Sequence, residues 1–78
     1  MSYYLTVEYP AELYFSNNLD DAIYEAVGLE SDGSGCGFGL RDIGFPFRTK
    51  ADAEAAAKRA KKVHKKINTS VFEMEDYV

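Results

Sequence analysis

The stretch DGSGCGFGLRDIGFPF, residues 32–47, sets glycine at every second position from Gly33 to Gly39. Glycines this dense let backbone N–H groups converge on an anion, which is how phosphate-binding loops work. Such loops follow a strand and open a helix, and no Gly-Lys-Ser or Gly-Lys-Thr occurs in this chain. The glycines run instead into an apolar, strand-like segment. Covalent catalysis would draw on Cys36 and His64, each the sole residue of its kind. The pattern predicts Cys36 as an inward, structural cysteine and His64 late on a helix among lysines, so no dyad is expected. Carboxylates gather at Asp20-Asp21 and in the run from Glu73 to Asp76, without the spacing of a calcium loop. These residues predict no catalytic centre, no metal site and no cofactor.

Charge is more informative. Residues 1–40 carry seven acidic groups and no Lys or Arg, whereas residues 41–78 carry nine basic and six acidic groups. An acidic half is thus joined to a mildly basic one, and the net charge is −4. Seventy-eight residues, 46% of them hydrophobic, suit a single domain over 1–78 with a small core. One cysteine cannot form an internal disulfide. No apolar run approaches the roughly 20 residues of a membrane span, and no basic n-region precedes an apolar stretch. The expectation is a cytoplasmic protein without a membrane partner.

The elements that must carry these groups follow from periodicity. In YYLTVEY, residues 3–9, Tyr3, Leu5, Val7 and Tyr9 alternate with Tyr4, Thr6 and Glu8, a half-buried strand closed by Pro10. The segment PAELYFS reads as irregular. A helix is predicted to start near Ser16 to Asn18, with Leu19, Ala22, Ile23, Ala26 and Val27 as its buried stripe and Gly28 as C-cap. A second helix is predicted from a Thr49–Asp52 capping box to about Asn68. Its buried face is Ala53, Ala56, Ala57, Ala60, Val63 and Ile67, and Glu54 is placed to pair with Lys58. TSVFEMEDYV is strand-like, with Phe72 and Met74 expected on the core side and Val71, Glu73, Glu75 and Tyr77 on the other.

Parity governs the glycine region. A turn at Arg41-Asp42 would pair Leu40 with Ile43, Phe38 with Phe45 and Cys36 with Phe47, six apolar side chains on one face. Arg-Asp is not a favoured turn pair, which leaves room for a longer or bulged connection. The opposite face would then be Gly35, Gly37, Gly39, Gly44 and Pro46, a floor over which something packs.

The order βαββαβ resembles the ferredoxin-like fold, an α+β sandwich with a four-stranded antiparallel sheet and two helices on one face. The resemblance is one of element order, and it implies that the first strand lies beside the third, with Tyr4 across Gly44 and Pro46. RNA-recognition motifs share that layout, but GCGFG lacks their basic residue and Phe38, Phe45 and Phe47 are expected inward. Acylphosphatases share it too, with an essential Arg after the first strand; residues 10–18 hold none.

With catalysis disfavoured, the sequence predicts a binding module for a protein with a basic surface. One candidate surface is acidic and aromatic: Glu12, Tyr14, Phe15, Asp20, Asp21, Tyr24 and Glu25, with Tyr77 as a further aromatic. Another is the sheet face of Tyr4, Thr6, Glu8, Arg48, Gly37, Gly39, Gly44, Glu73 and Glu75. In size, acidity and lack of catalytic motif the chain is similar to small phage-encoded inhibitors of host defence, the anti-CRISPR proteins. The acidic set Glu8, Glu12, Asp20, Asp21, Glu25, Glu30 and Asp32 carries that likeness, which implies occupation of a nucleic-acid-binding surface. A second reading is a nucleic-acid-binding domain using Lys58, Arg59, Lys61, Lys62, Lys65 and Lys66. A third is a self-associating domain that pairs through its glycine-floored sheet or its edge strand, and the chain is expected as a monomer or a weak homodimer.

Overall fold

A computed structural model describes residues 2–74. Its elements are β1 (Ser2–Pro10), α1 (Ala11–Ser16), α2 (Asp20–Val27), β2 (Gly33–Gly37), β3 (Leu40–Phe47), α3 (Lys50–Lys61) and β4 (Asn68–Met74). The four strands form one antiparallel sheet in the order β2-β3-β1-β4, with α2 and α3 on one face. This α+β arrangement is compatible with the ferredoxin-like layout read from the element order.

The alternation in β1 places Leu5, Val7 and Tyr9 at the centre of the core, all without solvent exposure. Ile43 and Phe45 of β3 join them, with Leu19 at the entrance to α2 and Ile23 and Val27 within it. Full burial of such side chains stabilises by roughly 1.5–3 kcal/mol each. The small face of α3, Ala53, Ala56, Ala57 and Ala60, is buried and lets the helix lie close on the sheet. Its start is capped as expected, with the Asp52 N–H donating to Thr49 Oγ1 at 3.2 Å. At the other helix, Gly28 takes φ +86° as C-cap. Arg59 of α3 donates from Nε to the Ala26 carbonyl at 2.7 Å and from Nη2 to the Val27 carbonyl at 3.1 Å. A cation there answers both the unsatisfied carbonyls and the negative end of the α2 dipole.

Several expectations are corrected. Residues 11–16 are helical, since Pro10 supplies a fixed φ of −57° at the entrance and Leu13 and Tyr14 gain a packing face. α2 begins at Asp20, whose N–H is met by Asn18 Oδ1 at 2.8 Å. α3 ends at Lys61 and the chain turns before the buried Ile67. Glu54 meets Lys50 at 3.9 Å across an exposed turn of the helix. The parity of β4 is reversed: Leu5 lies opposite Val71, so Val71 packs on the core and Glu73 shares the helix-side face. Phe72 and Met74 lie on the open face, where the Phe72 ring meets Tyr4 at 5.6 Å. Glu75 and Tyr77 lie outside the described residues.

Candidate interaction surface

The hairpin is the largest correction and the most useful one. Its turn falls at Phe38-Gly39, with Gly37 opposite Leu40, Cys36 opposite Arg41, and Gly35 opposite Asp42. Phe38 takes φ +53° and Gly39 φ +79°, the two positive values that a primed two-residue turn demands. Glycine supplies one at no steric cost, whereas a turn at Arg41-Asp42 would require both from side-chain-bearing residues. Phe38 is therefore fully exposed at the tip, not in the core, and Leu40 moves to the open face. Cys36 is exposed as well; its sulfur accepts from the Nη1 of Arg41 at 3.9 Å. Of the six residues expected in one cluster, Ile43 and Phe45 are buried and Phe47 is half-buried.

The shifted turn aims Arg41 at the helix side, where it meets Asp20. Arg41 Nη2 donates to Asp20 Oδ2 at 2.6 Å, and the Tyr9 hydroxyl donates to Asp20 Oδ1 at 2.5 Å. The guanidinium carbon also stands 4.4 Å from the centre of the Tyr14 ring. These contacts hold the Arg41 cation above its usual pKa, chiefly through the Asp20 hydrogen bond. Burial first, and then the Asp20 hydrogen bond, push the Tyr9 phenol up as well. The network joins β1, α2, α1 and the hairpin, so the tip projects from a braced base. A further bond ties the turn down: the Ala11 N–H donates to the Gly39 carbonyl at 2.9 Å.

Around this tip the open sheet face is acidic and nearly bare. β2 contributes only Gly33, Gly35 and Gly37 to it, and β3 contributes Leu40, Asp42, Gly44 and Pro46. A shallow depression of about 370 Å³ is lined by Glu8, Asp42, Leu40, Phe38, Cys36, Gly35 and Gly37. Tyr4 covers only one end of the floor: a Cβ on Gly44 would fall inside its ring, which explains glycine there. Nothing lies within 4 Å of the corresponding positions on Gly33 and Gly37. Burial, then the charges of Asp32 and Asp42 and a hydrogen bond to Asp32, raise the pKa of the Tyr4 hydroxyl. Glu8 and Asp42 stand directly opposite each other in the β1–β3 register, an arrangement of like charges that costs stability.

The sequence-predicted residues separate into those this surface gathers and those it does not. Tyr4, Glu8, Gly37 and Gly44 lie together on the open face, whereas Gly39 sits in the turn and Glu73 faces the helix side. Arg48 is exposed just beyond the end of β3. Of the acidic and aromatic set, Glu12, Phe15, Asp21 and Glu25 are exposed, Phe15 by 79%. Asp20 is only 6% exposed and is neutralised by Arg41, so it is structural and presents no charge outward. Tyr14 is half-buried beneath Arg41 and edge-on to Phe15, and Tyr24 packs edge-on to Phe45 at 6.1 Å. On and after α3, Lys58, Lys61, Lys62, Lys65 and Lys66 are exposed, while Arg59 is committed to the α2 carbonyls. His64 Nδ1 accepts from the Lys66 N–H at 3.0 Å. Phe38, Leu40 and Asp42 were missed by the sequence pattern; the Gly39 next to Phe38 was the available sign of the turn.

No protein-family model matches this chain, and no curated protein or solved structure matches it significantly. Among the described residues, no helix is long and apolar enough to cross a membrane.

Proposed function

We propose that this protein is a non-catalytic binding module that docks the Phe38 hairpin tip and the acidic floor beside it onto a basic partner protein. The observation that carries the reading is Phe38 itself. A bulky side chain at φ +53° is unfavourable, and full exposure returns no packing for it. Strained and solvent-facing aromatics of this kind suit a contact made with something else. The opposed Glu8 and Asp42 add a second unfavourable feature that a cationic partner would relieve.

Occupation of a nucleic-acid-binding surface on a host defence protein is the specific form of this reading, in line with the likeness to anti-CRISPR inhibitors. Affinity capture from the native host tests both levels. Wild type is expected to retain a basic protein, and the double variant Glu8→Lys, Asp42→Lys is expected to lose it while staying folded. For the inhibitor form, competing oligonucleotide is expected to release the captured protein. Retention by the reversed variant would reject the acidic floor as the contact, and indifference to oligonucleotide would reject the inhibitor form.

A further inference from the structure

We propose that β2 is a docking edge at which an extended segment of the partner adds as a fifth strand, with Lys or Arg at alternate positions over the open face. This deepens the reading above and rests on it for the partner's basic character.

The edge is open in every respect that matters for strand addition. β2 ends the sheet, and its sequence Gly-Ser-Gly-Cys-Gly holds none of the charged side chains or prolines that commonly blunt exposed edges. Residues flanking a two-residue turn form a hydrogen-bonded pair, here Gly37 and Leu40. By alternation Gly35 and Asp42 form the next such pair. The N–H and C=O groups of Ser34 and Cys36 therefore point to the free side. An added strand would find them at the usual spacing of about 4.8 Å.

The glycines determine what such a strand would carry. Asp42 Oδ1 lies 3.4 Å from where a Cβ of Gly35 would stand, so the carboxylate leans over Gly35 toward the edge. An incoming residue opposite Gly35 shares that face, with its Cα roughly 4.5–5.5 Å away. The stem of a Lys or Arg spans that gap, and no β2 side chain intervenes. Glu8 stands behind Asp42 and would reinforce the attraction. A neutral strand would gain the backbone bonds alone.

A second copy of this chain is the poorer occupant on charge. Its β2 offers no Lys or Arg, and pairing the two edges would bring a second Asp42 toward the first. Arg41, the nearest cation, faces the helix side and is held by Asp20.

The test is amide hydrogen exchange of the intact protein titrated with a short alternating threonine–lysine peptide, beside an alternating threonine–glutamate peptide. The lysine peptide is expected to slow exchange at Ser34 and Cys36, and the glutamate peptide is expected to have no effect. Asp42→Asn, which removes a like-charge pair and so remains folded, is expected to weaken lysine-peptide binding about fivefold. Phe38→Asn is expected to leave it unchanged, so loss of the tip anchor and loss of the edge read out separately. Equal protection by both peptides, protection at β4 in place of β2, or none at millimolar peptide would overturn the proposal. So would a β2-paired dimer of the protein alone in sedimentation.

Discussion

The two edges of the sheet are made in opposite ways. β4 carries side chains on both faces: Val71 packs on the core, the Phe72 ring meets Tyr4 at a tilt, and α3 lies against the strand. β2 has Ser34 and Cys36 as its only side chains, packs on β3, and takes no comparable support from a helix. One edge is secured by side-chain packing within the chain. The other is secured at its base, through Arg41 of the adjoining strand, and left free along its length. Edges of the second kind are normally avoided because they invite pairing. Here the exposed edge adjoins a strained, fully exposed aromatic and a pair of opposed carboxylates, three unfavourable features gathered around one hairpin.

Breaking the brace should have the largest effect. Arg41→Ala leaves Asp20 buried without its cation, and a loss of about 3–5 kcal/mol is expected in urea denaturation. Asp20→Ala should cost a similar amount, and the double variant should cost less than the sum, because the two act as a pair. A stability loss within experimental error for Arg41→Ala would mean that the hairpin is held by its strand pairing alone.

The same network predicts a pH dependence. The Tyr9 phenol is held above its ordinary value in the folded state, so its contribution is complete below pH 10 and is lost as pH rises beyond that. Wild-type stability is expected to fall on the alkaline side more steeply than that of Tyr9→Phe. Parallel curves in thermal melts would remove Tyr9 from the brace.

Glycine substitutions sharpen the contrast between covered and open floor. Gly44→Ala forces the Tyr4 ring off its seat and is expected to cost about 1–3 kcal/mol. Gly37→Ala meets open space at an ordinary φ and is expected to stabilise by about 0.4–1 kcal/mol. Equal effects at the two positions would show that the floor is uniform and that Tyr4 does not divide it.

Much of the fold is legible in the residues, because the core elements obey single periodicities. The β1 alternation, the alanine face of α3 and the Thr49 cap follow from spacing alone, and the approach of Tyr4 to Gly44 follows once the element order sets β1 beside β3. The hairpin does not, because apolar parity and turn chemistry give conflicting answers within it. Three apolar residues on each side of Arg41-Asp42 suggest one buried cluster, yet only Phe38-Gly39 includes a glycine for a positive φ. Turn geometry prevails, and half of the cluster is exposed as a result. Parity also misleads in β4, where the bulk of Phe72 outweighs the quieter series Ile67, Thr69 and Val71. The buried role of Asp20 is hidden for a different reason: its partner Arg41 is twenty-one residues away, and nothing local distinguishes it from Asp21. The exposed half of the hairpin is thus the part that deviates from the pattern of a self-sufficient core, and it is the part assigned to a partner.

The central claim is that Phe38 is retained for binding at the expense of the fold, and one substitution tests both sides of it. Asparagine is favoured at the first position of this turn, so Phe38→Asn is expected to raise stability by about 0.5–1 kcal/mol in urea denaturation. The same variant is expected to lose the partner that wild type captures from the native host. Unchanged capture would contradict the account, and so would a loss of stability that traces Phe38 to the fold after all.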